Sequence, residues 1–223
     1  MIKIKICGVK TLDDALVSAR AGADILGINC YPRSSRYIPP EEAAQLCADL
    51  RAQLGDSCPV LVGVFVNEHA DHITTTMKSI GLDFAQLSGN EDPSLLAALQ
   101  GVAFKALHPE ATDQACEQMC AFARYSPTDE RVPSVLVDAH HPRLYGGTGE
   151  AASVEVAGAI RDRTPRMMLA GGLNPQNVQE RVASIRPWGV DVASGVEVPG
   201  KPGPKDHDRI RAFIEAARKG AGN

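Results

Sequence analysis

Four short apolar runs in this chain each end on residues that could do chemistry. Cys7 closes IKIKIC and is followed by Gly8, and Asp138 closes SVLVD. Gly171-Gly172 follow RMMLA in LAGGLNP, and Ser194-Gly195 follow GVDVA in VASGVE. An acid directly after three apolar residues is costly to bury unless it has partners or a task, so Asp138 reads as a functional carboxyl or as the cap of its own loop. A free Cys reads either as a small packed hydrophobe or as a working thiol. Glycine lets backbone amides come within hydrogen-bond reach of an anion, which makes the two glycine-rich turns candidates for a phosphate cradle.

Other polar groups stand at similar places. In GINCYPRSSRYIPP, Arg33 and Arg36 flank two serines, and a guanidinium fork there could grip a carboxylate or phosphate bidentately; a solvated loop arginine is the alternative. Gln86 and Ser88 end the run DFAQL, although Ser88, like Asn67 after the third run, also suits a turn. Gly146, Gly147 and Gly149, with Thr148, follow Asp138. The adjacent His140-His141 are not expected to bind a metal, because loop neighbours rarely point at one ion and no third ligand stands at good spacing.

The elements needed to position these residues follow from periodicity. Eight strand candidates occur at 2–7, 24–28, 60–65, 83–87, 102–107, 134–138, 166–170 and 189–193. Helix candidates lie between and after them at about 11–21, 40–53, 68–80, 93–100, 111–123, 150–162, 175–186 and 206–219. Thr11, Pro39-Pro40 and Asn174-Pro175 mark starts. Unbroken alternation over 223 residues argues for a closed parallel (β/α)8 TIM barrel forming one domain over 1–223, with an open doubly wound sheet as the alternative. In a barrel the carboxyl ends of the strands converge on one mouth, and loops seven and eight commonly hold phosphate. All four of the opening runs would then end at that mouth.

Composition narrows the partners. A formal net charge of −4 gives no basic face for a nucleic acid, but a small phosphorylated molecule remains possible because amides bind it without net positive charge. Six cysteines without a CxxC pair read as reduced thiols, the longest apolar run is far too short to span a bilayer, and no leader is evident. A cytoplasmic location is expected, with no membrane partner. Neither a dinucleotide fingerprint nor a ligand cluster is evident, so no cofactor is expected, and the sequence leaves monomer and homodimer open.

With these residues assembled, the chain resembles the phosphoribosylanthranilate isomerase family, (β/α)8 barrels of tryptophan biosynthesis. The resemblance is carried by KICGVKTLDDA, GINCYPRSSRYIPPEEA, VGVFVNE, DFAQLSGNE, VLVDA with GGTG, LAGGLNPQNV and GVDVASGVEVPGKPGPKDHDRIRAFI. It implies an Amadori rearrangement of N-(5′-phosphoribosyl)anthranilate to 1-(o-carboxyphenylamino)-1-deoxyribulose 5-phosphate. Cys7 would be the general base and Asp138 the general acid. Arg36 would take the anthranilate carboxylate, Gln86 would line the mouth, and Gly147, Gly171, Gly172, Ser194 and Gly195 would contribute to phosphate binding.

Two departures stand out: Ser88 replaces the His usual in QLHG, and EAASVEVAG follows GGTG where a Phe-Asp-Trp segment is usual. A metal-dependent phosphosugar epimerase and a non-catalytic phosphate-ligand binder are the competing readings.

Overall fold

The computed structural model describes residues 1–99, 101–109, 112–138 and 156–222. Eight strands run β1 (Lys3–Cys7), β2 (Ile25–Asn29), β3 (Val60–Phe65), β4 (Phe84–Leu87), β5 (Ala103–Leu107), β6 (Val135–Asp138), β7 (Met167–Ala170) and β8 (Gly189–Val192). They close into a parallel barrel in sequence order, with β8 pairing back onto β1. The alternative of an open sheet is therefore overturned by the β1–β8 pairing. Every strand lies within one residue of its sequence-based boundaries.

The helices are α1 (Leu12–Ala21), α2 (Pro40–Leu54), α3 (Ala70–Ile80), α4 (Pro93–Ala98), α5 (Thr112–Ala123), α6 (156–161), α7 (Val178–Ile185) and α8 (His207–Gly220). Local chemistry sets their ends. Thr11 Oγ1 accepts from the Asp14 amide at 3.1 Å, and Gly22 ends α1 in the left-handed region at φ 104°. Pro40 occupies the first turn of α2, where its missing N–H has no partner to lose.

Among the described helix starts, that of α7 departs furthest from expectation. The Asn174-Pro175 signal places a helix from 175, but α7 begins at Val178. Asn174 Oδ1 accepts from the amides of Gln176 and Asn177, while the Asn174 amide donates to Asn177 Oδ1, so the two asparagines hold a turn ahead of the helix.

Two apolar layers follow from the period of two along each strand. Ile25, Val60, Val62, Phe84, Phe104, Ala106, Leu136, Met168 and Ala170 form the interior cluster. Their alternates, such as Leu26, Leu61, Ala85, Val135 and Leu169, pack outward against the helices. Among the described residues, no helix is long and apolar enough to cross a membrane.

Candidate active site

Cys7 ends β1 on the same face as Lys5, and both are buried. The register sets Cys7 beside Gly27 of β2, where a Cβ would lie only 2.7 Å from Cys7 Sγ; the glycine makes room for the thiol. Below it, Lys5 Nζ donates to Asp191 Oδ1 at 2.9 Å across the β1–β8 seam, with the Lys5 side chain at 0% exposure. Burial pulls the Lys5 pKa down, but the Asp191 charge, then Cys7, outweigh it and hold Lys5 above the ordinary 10.5. Two other thiols are packed: burial pushes Cys30 up to about 12 and, against the opposing charge of Arg51, Cys47 up to about 11.

Arg36 arches over the same strand end. Its stem lies above Gly8, whose φ of +73° and close contact with Arg36 Cδ exclude a side chain there. Its guanidinium donates through Nε at 2.6 Å and Nη2 at 3.1 Å to the two oxygens of Glu197. Lys205 Nζ stands 3.5 Å from the same Glu197 oxygen and donates to Ala193 O at 2.9 Å. Burial raises the Glu197 pKa, yet the Arg36 hydrogen bond and the Lys205 charge outweigh it, so the carboxyl sits below its ordinary range. Burial also pulls Lys205 down, and Cys7 and Glu197 only partly compensate.

The sequence offers Arg36 as a bidentate grip for a carboxylate or phosphate, or as a solvated loop arginine. Its side chain comes pre-oriented by Glu197.

The two glycine turns lie against each other. Gly171 and Gly172 both adopt positive φ, at 94° and 63°, and begin the loop after β7. Gly172 O accepts from Asn177 Nδ2 at 3.0 Å. Ser194 and Gly195 form a short 3-10 turn directly after β8, and a Cβ on Gly195 would collide with the Leu173 carbonyl. Arg209 of α8 donates to Gly195 O through Nε at 3.1 Å and Nη2 at 3.0 Å, which fixes the turn from behind.

On the far side, Gln86 points inward from β4 and donates through Nε2 to Ser88 Oγ at 3.0 Å. Its Oε1 is buried and, among the described residues, has no hydrogen-bond partner. Asp138 ends β6 on the face of Leu136, half-exposed, with His108 Nδ1 of the preceding strand's loop 3.9 Å from its Oδ2. Lys105 on β5 braces this side by bonding Glu91 at 2.9 Å and the carbonyls of Leu87 and Gly89.

Cys7, Asp138, Arg36, Gln86, Gly171, Gly172, Ser194 and Gly195 therefore all stand at the carboxyl end of the barrel. Gly147, the rest of the GGTG cluster and His140-His141 lie outside the described residues. Among the described residues, no three His, Cys, Asp or Glu side chains form a metal-ligand group. The sequence reading missed Lys5, Asp191, Glu197 and Lys205. Only Lys5 carried a local signal, sharing the inward parity of Cys7.

An anion-gripping fork, a glycine cradle and an inward thiol and carboxyl suit proton transfers on a phosphorylated ligand. A family model described as N-(5′phosphoribosyl)anthranilate (PRA) isomerase matches residues 4–216. A curated N-(5′-phosphoribosyl)anthranilate isomerase of Citrifermentans bemidjiense is 39% identical over 219 residues, covering 98% of each chain. The solved phosphoribosyl anthranilate isomerase of Thermotoga maritima is 35% identical with a TM-score of 0.82, over 98% of this chain and 100% of that one. A solved phosphoribosyl anthranilate isomerase in complex with reduced 1-(o-carboxyphenylamino)-1-deoxyribulose 5-phosphate is 33% identical with a TM-score of 0.80 over the same shares. On its sequence from end to end and on its barrel, the chain belongs to the N-(5′-phosphoribosyl)anthranilate isomerase family.

Proposed function

We propose that this chain catalyses the Amadori rearrangement of N-(5′-phosphoribosyl)anthranilate to 1-(o-carboxyphenylamino)-1-deoxyribulose 5-phosphate, a step of tryptophan biosynthesis. The observation that carries this is the pairing of the family match with Cys7 and Asp138 on the inward faces of β1 and β6 at one barrel end.

Asp138, in its acid form, protonates the furanose ring oxygen; the C1′–O bond breaks and its electrons leave with that oxygen, giving an iminium. Cys7, as thiolate, removes the now acidic C2′ proton, and the C–H electrons form the C1′–C2′ double bond while the nitrogen regains its lone pair. The enolamine takes a proton at C1′ and loses one from the C2′ hydroxyl to become the ketone. The sum is an isomerisation that needs no oxidant.

Arg36 holds the anthranilate carboxylate, Gln86 offers an acceptor to the sugar, and Gly147, Gly171, Gly172, Ser194 and Gly195 form the phosphate cradle. The chain acts in the cytoplasm as one barrel domain, monomeric or homodimeric, on a small phosphorylated substrate, with no nucleic-acid or membrane partner.

The test is complementation of an isomerase-deficient tryptophan auxotroph. The wild-type sequence restores growth, and Cys7→Ser and Asp138→Asn do not. Growth unaffected by both substitutions refutes the assignment.

A further inference from the structure

Resting on the reading of Arg36 as the carboxylate grip, we propose that Glu197 and Lys205 are positioning residues, Glu197 fixing the direction of that grip and Lys205 supplying the charge that keeps it attractive to an anion. The bidentate bond takes the Nε and Nη2 edge of the guanidinium, so its plane is set by Glu197 and not by the torsions of a long stem.

A lone Arg–Glu pair, however, is neutral overall. Lys205, at 0% side-chain exposure and 3.5 Å from the same carboxylate, makes the group two cations and one anion. Among these three, one positive charge is left over while the neighbouring Cys7 carries its proton, in a setting where buried partners screen it weakly. Of the three side chains Arg36 has the most exposure, at 24%, so the surplus meets the mouth through the guanidinium.

The chain builds this group deliberately. Glu197 and Lys205 pair as an antiparallel bridge, closed by Val198 N to Pro204 O at 3.0 Å and Asp206 N to Val196 O at 2.9 Å. Gly203 has φ +110°, and a Cβ there would lie 3.0 Å from the Ser35 carbonyl, so the loop after β8 runs close against the loop that carries Arg36. A salt bridge used only to fasten two loops would need neither the third member nor its burial.

The test compares two ligands on the full chain by calorimetry. They are reduced 1-(o-carboxyphenylamino)-1-deoxyribulose 5-phosphate and the same molecule without its ortho carboxyl group. The ratio of their affinities cancels any general damage from a substitution. Wild type prefers the carboxylated ligand; Arg36→Met abolishes the preference.

Glu197→Gln and Lys205→Met each lower the preference by roughly tenfold, the usual scale for removing a partner that orients a binding group. Glu197→Asp, which keeps the charge but shortens the reach, gives an intermediate loss and serves if Glu197→Gln does not fold. Because Glu197→Gln adds net positive charge and Lys205→Met removes it, a bare charge effect moves the two in opposite directions. Opposite changes, or an unchanged preference in both, overturn the inference while leaving the Arg36 reading intact. Equal affinity of wild type for the two ligands overturns both.

Discussion

Lys5 and Asp191, 186 residues apart in sequence, meet at 2.9 Å inside the barrel, with the lysine wholly enclosed. Such a pair is worth little against a well-packed apolar substitute, but removing one partner leaves the other charge stranded. Lys5→Met is expected to cost about 3–5 kcal/mol in urea unfolding at pH 7. Asp191→Leu added to it recovers part of that loss. The folded-state pKa of Lys5 lies above its ordinary 10.5, so its stabilisation is fully present below pH 10.5 and is lost as pH rises through the folded value. Alkaline unfolding of Lys5→Met therefore shows a smaller pH dependence above pH 10.5 than wild type. Identical curves would refute the linkage.

Cys7→Ser and Asp138→Asn are each expected to lower kcat by about 10²–10⁴-fold, the ordinary contribution of a positioned base or acid. Neither change removes apolar packing of any size, so the unfolding midpoint moves little. Steady-state kinetics beside thermal melts check this. A matching fall in stability and rate would mean that the residues serve the fold.

Gln86→Leu removes a buried amide oxygen that has no partner among the described residues. An unpaired buried acceptor costs about 1–3 kcal/mol, so the substitution leaves the unliganded protein as stable as wild type or more so. It also narrows the rise in melting temperature that the reduced product analogue produces. A lower melting point together with an undiminished ligand shift would contradict a role for Gln86 at the mouth.

Gly195→Ala puts a methyl group against the Leu173 carbonyl and forces the turns after β7 and β8 apart. KM is expected to rise by about tenfold or more, since anchoring groups displaced by even an ångström lose much of their effect. Inorganic phosphate, as a competitive inhibitor, weakens in parallel. An unchanged inhibition constant would move the cradle elsewhere.

The strands were legible because runs such as VLVGVF and SVLVD are bounded by turn residues, and a buried parallel strand needs little else to announce itself. Thr11 and Pro40 were legible for the same local reason. The α7 start was not, since the reciprocal bonds of Asn174 and Asn177 compete with the helix they seemed to open. Nor was the state of Arg36, because its partner Glu197 is 161 residues away and only closure of the barrel brings the two loops together. Asp191 stands in GVDV with no local signal of a partner. Its meaning depends on what β1 presents across the seam, which no local pattern contains.

The pairing of β1 with β8 also carries an implication for synthesis. The strand that holds Cys7 is made first, and one of its edges has no neighbour until residue 192 has left the ribosome. Lys205, on whose charge Cys7 acts, is made later still. Cys7 thus emerges with the first strand of the barrel, whereas the strand and loop that complete its surroundings come with the last.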